Sequence, residues 1–437
     1  MKLHITKLTS GRRSAAVEEF LTRPTFDPKA EAIASELLAD IRTRGEIAVL
    51  AAISKIEKLS LRPAELRVSA RELAAAEKAV DPATKARIEE AHERVADFAR
   101  WSMRPDWSHK TECGGTLGEF FTPLDRVGVY VPGGTAPLAS TVIMTATLAQ
   151  VAGVREIVAC TPGGRDKAIR PEVLYAMKVA GVTEIYRVGG IQAIGLMAYG
   201  TRKVSPVQKI VGPGNAYVTA AKRQVYGTVA LDLVAGPSEI AVLADSSANP
   251  AWVAADILSQ AEHGSGHERS LFVTDDAAFA EKVKAEVIRQ TKTLSRHEMV
   301  ERVVANGGIL LAVAPSLEDG MALVNRFAPE HFELQVADPA RFIPMAVHCG
   351  AVFAGYWTPE SAGDFAAGPS HVLPTGGAAR MFNGLTVEDF RHRTSLVGYT
   401  EGDLKAALPV ITRFADIEGL DGHRNAATIR FPQAPRA

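Results

Sequence analysis

The sequence predicts an α/β protein with more than one folded unit. At 437 residues, the chain exceeds the size at which a single hydrophobic core keeps growing. From Arg126 onward, short runs rich in β-branched residues alternate with helical patterns, and most of these runs lead into a glycine. The phrase Val-Ala-Gly-Val at residues 151–154 returns at residues 179–182, each time closing a helix and leading into a strand. This repeat predicts connected strands that run parallel.

The individual elements follow in chain order. Residues 28–104 have helical periodicity, and Ser69 with Glu72 predicts a capping box at the start of one helix. Strands are predicted at residues 127–131, 156–160, 184–188 and 209–211, and in a second α/β unit at residues 240–244, 270–274, 308–313 and 350–354. Between Gly355 and Gly377 the chain has five glycines and three prolines, which predicts a binding loop. A small helical piece is predicted around residues 404–414.

The composition favours an enzyme that acts on small molecules. The chain is 47% hydrophobic and 23% charged with a net charge of -1, so it has no field that would attract nucleic acid or an anionic membrane. It has no signal-peptide pattern and no apolar run long enough to span a bilayer, so we expect a cytoplasmic protein. The cysteines, Cys113, Cys160 and Cys349, are too few and too scattered for a disulfide framework or a thiolate zinc cluster. Any metal ion must therefore be held by nitrogen and oxygen.

Two segments carry residues suited to a metal site or to proton transfer. Gln260 and His263 are spaced i, i+3 at the end of a helix that starts at Asn249, as two ligands of one metal ion would be, although a solvated helix end gives the same pattern. Glu330 and His331 precede an alternating, strand-like run. In extended chain they would point to opposite sides, which suits a reaction with two proton transfers, but a solvated Glu beside a structural His is the alternative.

Polar residues in two later segments are ambiguous on their own. Asp364 and His371 lie in the glycine-rich loop, where a carboxylate often only caps a turn. Glu418 and His423 lie in a short, turn-rich part of the tail. For a nucleotide, Gly-x-Gly-x-x-Gly is absent, but glycine turns after the first group of strands offer backbone N–H groups to phosphates. The residues alone thus indicate an α/β enzyme without naming its reaction.

Several longer phrases, in order along the chain, resemble histidinol dehydrogenases. They are Arg-Val-Gly-Val-Tyr-Val-Pro-Gly-Gly at 126–134, Val-Gly-Pro-Gly-Asn-Ala-Tyr-Val at 211–218, Ala-Gly-Pro-Ser-Glu at 235–239, Ser-Gln-Ala-Glu-His-Gly at 259–264, Ala-Pro-Glu-His at 328–331 and Gly-Pro-Ser-His-Val-Leu-Pro-Thr at 368–375. The resemblance extends from about Ser35 to Arg430. It implies oxidation of L-histidinol through L-histidinal to L-histidine with two NAD, one water and one Zn²⁺ per subunit, as the last step of histidine biosynthesis.

The resemblance also assigns the site residues. The implied zinc ligands are Gln260, His263, Asp364 and His423, the last supplied by the other subunit of an intertwined homodimer. The implied catalytic pair is His331 as general base and Glu330 as the residue that activates water. The implied NAD contacts are Tyr130, Gln192 and Asn215. The implied substrate contacts are Ser238, Gln260, His263, His331, Asp364, Glu418 and His423, with Glu418 also supplied across the interface.

The fold implied by the resemblance has two Rossmann-like α/β domains without the Gly-x-Gly-x-x-Gly fingerprint, plus small terminal extensions. The implied boundaries are an N-terminal extension of residues 1–24, a first, metal-binding domain of residues 25–129 and 240–385, a second, NAD-binding domain of residues 130–239, and a C-terminal domain of residues 386–437. The C-terminal domain is expected to contribute to the active site of the partner subunit.

This chain departs from the family pattern in ways that leave alternatives open. Residues 135–140, Thr-Ala-Pro-Leu-Ala-Ser, lack the Tyr-Pro-Ser phrase common in the family, while Ser370 and His392 replace a more usual Asn and Lys. A paralogue that oxidises another small polar alcohol, such as a sulfonated diol, is one alternative, although no cation besides Arg424 is introduced beside Ser140 or Glu418. A zinc hydrolase that uses Glu330 and an inactive binding relative are the others, and both predict that no NADH forms.

Overall fold

A computed structural model describes residues 3–12, 14–23, 27–133, 138–234 and 236–431 of the chain. The strands are β1 (Ile5–Lys7), β2 (Trp107–Lys110), β3 (Thr116–Pro123), β4 (Arg126–Tyr130), β5 (Glu156–Thr161), β6 (Glu184–Arg187), β7 (Lys209–Val211), β8 (Ala230–Leu231), β9 (Glu239–Ala244), β10 (Arg269–Thr274), β11 (Ile309–Val313), β12 (His331–Gln335), β13 (Ala351–Ala354) and β14 (Arg391–Gly398). The helices are α1 (Ala15–Leu21), α2 (Pro28–Arg44), α3 (Glu46–Ala52), α4 (Ala70–Ala79), α5 (Pro82–Ser102), α6 (Ala139–Ala152), α7 (Pro171–Val179), α8 (Gly190–Tyr199), α9 (Ala216–Val225), α10 (Pro250–Ala261), α11 (Ala277–Thr291), α12 (His297–Ala305), α13 (Leu317–Phe327), α14 (Pro339–Phe342), α15 (Glu360–Phe365), α16 (Glu401–Glu418) and α17 (Asp421–Thr428).

A six-stranded parallel sheet forms one half of the larger unit of the chain. Its strand order is β1-β11-β10-β9-β12-β13, and every neighbouring pair is parallel. Apolar side chains of α10, α11 and α12 cover one face, and those of α1 and α13 cover the other. Because both faces are covered, β9 and β12 are buried along their whole length, as strands of a parallel sheet usually are.

A five-stranded parallel sheet forms the other half of this unit. Its strand order is β6-β5-β4-β7-β8, and helices α4 to α7 cover one face while α2, α3, α8 and α9 cover the other. The chain runs from β4 to β5 and β6 on one side and then returns to β7 on the other. The strand order therefore reverses between β4 and β7, and in open α/β sheets the carboxyl ends of the strands at such a point form a crevice that binds ligands.

A smaller unit combines residues 103–123 with the C-terminal part of the chain. Strands β14, β3 and β2 form an antiparallel sheet in that order, and α16 and α17 pack on each other. The two strands from residues 103–123, a segment that the resemblance assigns to the first α/β domain, thus pair with β14. Likewise, β1 of the predicted N-terminal extension is part of the six-stranded sheet. The domain boundaries as a whole stay a prediction.

Several predictions of local structure are confirmed. The α/β class with parallel strands is present, and Ser69 and Glu72 form the predicted capping box of α4. Gly153 ends α6 in the left-handed conformation, as the repeated phrase predicts. The glycine-rich segment from Gly355 to Gly377 was predicted to lack regular structure, and this is wrong in part, because α15 lies within it. Among the described helices, none is both long and apolar enough to cross a bilayer.

Candidate active site

The pair Glu330 and His331 lies at the amino-terminal edge of the six-stranded sheet. Helix α13 ends at Phe327, and Ala328 takes a left-handed conformation with φ 49° before Pro329. This conformation is uncommon for a residue with a Cβ, and such residues cluster at functional sites. The tight reversal leads directly into β12, so that Glu330 and His331 are both buried.

The backbone of Glu239, on the neighbouring strand β9, holds both side chains. Its N–H donates to Oε2 of Glu330 over 3.0 Å, and its carbonyl oxygen lies 3.1 Å from Nδ1 of His331. Since a carbonyl oxygen can only accept, Nδ1 carries a proton, and Nε2 of the neutral ring is then a proton acceptor. Nε2 is buried and has no hydrogen-bond partner among the described residues.

The expectation that Glu330 and His331 point to opposite sides is wrong. Oε2 of Glu330 lies only 3.7 Å from Nδ1 of His331. Glu330 precedes the first residue of β12, so the alternation of side chains along a strand does not yet apply to it. The two side chains are therefore close enough for their charges to affect each other.

Two carboxylates of the short helix α15 face the free nitrogen of His331. Nε2 of His331 lies 3.6 Å from Oδ1 of Asp364 and 3.9 Å from Oε1 of Glu360. The donor atoms of the three residues lie within 4.8 Å of one another, close enough to hold a metal ion. Glu360 was not predicted as a site residue from the sequence. Its i, i+4 spacing to Asp364 would have indicated that the two side chains are neighbours, but only if the segment is a helix.

The cluster places three carboxyl groups around one imidazole. Burial raises the pKa of Glu330 to about 7 and, together with Asp364, that of Glu360 to about 8. Burial lowers the pKa of His331, but the carboxylates of Glu330, Asp364 and Glu360 outweigh this effect and raise it to about 10. Burial also raises the pKa of Asp364, yet the neighbouring His331 lowers it to about 2. A cation bound among these carboxyl groups would offset their effect and lower the pKa of His331, so that its Nε2 could accept a proton at neutral pH.

The end of helix α10 supplies Gln260 and His263. Gln260 is 1% exposed, and neither its amide oxygen nor its amide nitrogen has a hydrogen-bond partner among the described residues. An unpartnered buried amide is costly, so an absent ligand such as a metal ion fits this position. Nδ1 of His263 lies 3.2 Å from the carbonyl oxygen of Gln260, which leaves Nε2 as the ligand atom. His263 is exposed in the single chain.

The pKa of His371 responds to several of these groups. Burial lowers its pKa, and the charged groups that act on it include Asp364, His331 and His263. The structure thus brings His331 and Asp364 together, whereas the role of His263 beside them stays a prediction.

A buried hydrogen-bond network links the three elements that carry the cluster. Nε2 of Gln335 on β12 donates to Glu333 over 2.8 Å and to Asp256 of α10 over 2.6 Å. The backbone N–H of Glu360, the first residue of α15, donates to Glu333 over 2.7 Å. Burial raises the pKa of both Asp256 and Glu333, and their carboxyl groups are hydrogen-bonded to each other, which requires a proton between them. The network sets the relative positions of α10, β12 and α15.

The predicted nucleotide residues lie at the carboxyl-terminal edge of the five-stranded sheet. Tyr130 ends β4, and its hydroxyl oxygen accepts from the N–H of Gly190 over 3.1 Å. Gln192, in the first turn of α8, is 1% exposed; its Nε2 donates to Glu57 over 2.7 Å, and its Oε1 has no partner among the described residues. Oδ1 of Asn215 caps α9 by accepting from two backbone N–H groups. These side chains surround the crevice beside the reversal of strand order.

Gly212 allows the two central loops of this edge to approach each other. It has φ 112°, and a Cβ at this position would lie 2.2 Å from the carbonyl oxygen of Tyr130. Only glycine fits there, which explains one glycine of the sequence phrase at 211–218.

The remaining predicted residues lie elsewhere. Ser238 is half-buried directly before β9, next to the carbonyl and N–H that hold the catalytic pair. Glu418, at the end of α16, and His423, on α17, are exposed residues of the smaller unit. Ser140 lies in the first turn of α6, whereas residues 135–137 of the altered loop lie outside the described residues.

Comparison with known proteins identifies the relatives of this chain. Residues 22–431 match the family model described as histidinol dehydrogenase. A histidinol dehydrogenase of Rhodospirillum rubrum is 46% identical over 401 residues, covering 91% of this chain and 92% of that protein, and one of Moorella thermoacetica is 44% identical over 395 residues, covering 90% and 93%. The crystal structure of a histidinol dehydrogenase from Elizabethkingia anophelis superimposes with a TM-score of 0.93 at 33% identity and covers 98% of both chains.

Proposed function

The chain belongs to the histidinol dehydrogenase family, and on that premise we propose that it oxidises L-histidinol through L-histidinal to L-histidine with NAD and zinc. The observation that carries the proposal is the cluster around His331. A buried imidazole with a free Nε2 faces two carboxylates, and the buried amide of Gln260 at the end of α10 has no partner among the described residues. A proton acceptor next to a set of nitrogen and oxygen donors is what the oxidation of a metal-bound alcohol requires.

The proposed zinc ligands are Gln260, His263 and Asp364 of one chain with the partner subunit's His423. The buried, unpartnered amide of Gln260 and the carboxyl groups around Asp364 support these two ligands, and the exposed positions of His263 and His423 are compatible with a site at a dimer interface. Bound zinc supplies a Lewis acid that orients the amino alcohol through its nitrogen and oxygen atoms. Ser238 and the partner subunit's Glu418 are the further substrate contacts that we propose.

His331 moves the protons of both oxidation steps. Nε2 takes the hydroxyl proton of the alcohol while hydride leaves the same carbon for NAD, so the C–O single bond becomes the C=O bond of the aldehyde. The Nδ1 contact with the carbonyl of Glu239 keeps Nε2 turned toward the substrate. After the aldehyde is hydrated, the same nitrogen takes the hydroxyl proton as the second hydride leaves.

Glu330 is suited to the hydration step between the two oxidations. Water must add to the aldehyde carbon and lose a proton, and we assign the acceptance of that proton to the carboxylate of Glu330. Burial raises its pKa to about 7, which places it close to the pH at which a general base acts best.

NAD is proposed to bind at the other sheet, against Tyr130, Gln192 and Asn215. The unpartnered Oε1 of Gln192 and the close approach at Gly212 support a ligand in this crevice. We further propose an intertwined homodimer of two Rossmann-like domains per chain, in which Glu418 and His423 of each chain serve the site of the other, as the resemblance to the family implies. A cytoplasmic location fits the biosynthetic role and three unpaired cysteines.

The test is to incubate the zinc-loaded protein with L-histidinol and NAD and to follow NADH and histidine together. The proposal predicts two NADH for each histidine formed. A hydrolase or an inactive binding relative would yield no NADH from any alcohol. NADH from another polar alcohol, but none from histidinol, would instead identify a paralogue with a different substrate.

A further inference from the structure

The carboxylate of Glu57 lies in the nucleotide half of the larger unit and has no role in the proposed chemistry. Glu57 ends a short π-helical turn, Ile53–Glu57, that follows α3. Its Oε1 accepts from the backbone N–H of Gly189 over 3.1 Å and from Nε2 of Gln192 over 2.7 Å. Its Oε2 is buried and has no hydrogen-bond partner among the described residues.

Two acceptor atoms at this position therefore lack donors. They are Oε2 of Glu57 and Oε1 of Gln192, a residue that is only 1% exposed. Both are oxygen atoms that can only accept hydrogen bonds. A ligand that satisfies both oxygens must therefore supply hydroxyl or N–H donors. A phosphate brings neither at neutral pH, because its oxygens are acceptors too. The pair is thus suited to a diol or to an NH2 group, and its place in the fold decides between them.

The topology places Glu57 on one particular side of the crevice. In doubly wound sheets, a dinucleotide crosses the carboxyl ends of the strands where the order reverses, and an acid at the end of the second strand receives the hydroxyl of the adenosine ribose. The second strand here is β5, and the next acid after it, Asp166, is exposed and accepts from the N–H of Ala168 within its own loop.

Glu57 comes from another part of the chain but lies where that acid is expected. Gly189, to which it is hydrogen-bonded, lies so close to the loop after β5 that a Cβ on Gly189 would be 2.9 Å from Cβ of Pro162. The carboxylate therefore lies beside the ends of β5 and β6, on the side of the sheet where adenosine is expected. Among the described residues, no lysine or arginine forms an ion pair with Glu57. Burial raises the pKa of its carboxyl group, whereas the hydrogen bonds from Gly189 and Gln192 lower it.

We propose that Glu57 makes the protein selective for NAD over NADP, by accepting a hydrogen bond from the 2′-hydroxyl of the adenosine ribose and repelling a 2′-phosphate. This inference rests on the proposed NAD-dependent function. A buried acceptor that pairs with a substrate hydroxyl discriminates strongly against analogues that lack it. Like charges that face each other cost several kcal/mol, so the selectivity should be about 100-fold or more.

One competing cation lies in the same region. Arg165 is exposed in the loop after β5, and an arginine near the ribose is the group that normally accommodates the 2′-phosphate of NADP. If Arg165 rather than Glu57 determined the choice of nucleotide, its removal would change the selectivity. The two residues can be separated by parallel substitutions.

The experiment measures binding of ADP-ribose, 2′-deoxy-ADP-ribose and 2′-phospho-ADP-ribose to the zinc-loaded protein by calorimetry, and kcat/KM with NAD and NADP. The variants are Glu57→Gln, which removes the charge, Glu57→Asp, which keeps it, and Arg165→Gln. Glu36→Gln, an exposed residue of α2, is the matched control for loss of one acidic charge.

We expect the wild type to bind ADP-ribose at least about 100-fold more tightly than its 2′-phosphate, and to lose affinity for the 2′-deoxy compound. Glu57→Gln should narrow the preference by about tenfold or more, whereas Glu57→Asp, Arg165→Gln and Glu36→Gln should keep it. Parallel loss of affinity for all three ligands in Glu57→Gln would overturn the inference, because Glu57 would then only position Gln192.

A change of selectivity in Arg165→Gln but not in Glu57→Gln would also overturn the inference about Glu57. So would equal affinity of the wild type for ADP-ribose and its 2′-phosphate. Failure of the proposed function is distinguishable. Selective binding of ADP-ribose without any NADH from histidinol would contradict the reaction and leave the role of Glu57 supported, while no binding of any of the three ligands would overturn both.

Discussion

The two parallel sheets of the larger unit use opposite edges. In the six-stranded sheet, the titratable cluster gathers at the amino-terminal edge, where His331 opens β12 and Glu239 opens β9. In the five-stranded sheet, Tyr130 and the loop after β7 lie at the carboxyl-terminal edge, where ligands of open α/β sheets normally bind. One sheet thus follows the usual rule for ligand sites and the other does not.

The difference shows how the two halves are built. The carboxyl-terminal edge of the five-stranded sheet, the proposed nucleotide edge, is formed by residues close in sequence. Each loop follows its strand directly and approaches the neighbouring loop through glycine, as at Gly212. The amino-terminal edge of the six-stranded sheet, the proposed catalytic edge, instead combines α10, β12 and α15. The buried hydrogen-bond network around Glu333 holds these three elements together. Chemistry and nucleotide binding should therefore respond separately to substitution, and the following predictions test that separation.

The largest effect is expected for His331→Ala at the catalytic edge. Loss of a general base costs about 100-fold to 10,000-fold in rate, so kcat should fall by that much while the KM for NAD stays near the wild-type value. Zinc content, measured by metal analysis of the purified protein, should also remain close to that of the wild type. The matched control is His297→Ala, an exposed histidine of α12. Loss of zinc together with activity would make His331 a ligand and contradict its role.

The next largest effect is expected for the ligands, Gln260→Ala and His423→Ala. Each should lower zinc affinity by more than the ~10–100-fold typical of residues that only support a ligand. Mixing the two variants after subunit exchange should restore about a quarter of the wild-type activity, because half of the dimers then contain one intact site. No recovery after confirmed exchange would mean that the site is built within one chain.

A smaller effect on both stability and metal binding is expected for Glu333→Leu. The substitution leaves the N–H of Glu360 without its acceptor, which costs about 1–3 kcal/mol, and removes one of the two acceptors of the Gln335 amide. The free energy of unfolding in urea should fall by that amount, and zinc affinity should fall with it because α15 loses its anchor. Glu281→Leu, on the exposed side of α11, is the control. Unchanged zinc affinity in the destabilised variant would separate the network from the site.

The smallest effect is expected at the nucleotide edge, for Asn215→Ala. Loss of the helix cap should lower the free energy of unfolding by about 1 kcal/mol. The KM for NAD should rise severalfold, whereas zinc content and the affinity for histidinol should not change. Thermal unfolding and the two KM values measure these effects. A change in zinc content here would show that the two edges are not independent.

The same contrast explains what the sequence could predict. The parallel α/β class, the capping box at Ser69 and the glycine turns were predictable because each depends on neighbouring residues. Glu360 was not, because its spacing to Asp364 matters only once the glycine-rich segment forms α15. Glu57 was missed for another reason. It lies 132 residues from Gly189 in the chain, and only the packing of its π-helical turn against Gly189 brings it to the nucleotide loops.

Family resemblance, rather than spacing, identified the metal site. Gln260, Asp364 and His423 are scattered over more than 160 residues, and no local pattern connects them. The structure adds a competing set of donors, since His331, Glu360 and Asp364 are also close enough to hold an ion. These two sets share Asp364 and differ in whether His331 stays free to accept a proton.

Anomalous X-ray diffraction at the zinc edge from crystals of the zinc-loaded protein decides between these two sets. The account predicts zinc at about 2.0–2.2 Å from Gln260, His263 and Asp364, with a histidine of a second chain as the fourth ligand and Nε2 of His331 unbound. Zinc held by His331, Glu360 and Asp364 would contradict it, because the base that the proposed reaction requires would then be occupied by the metal.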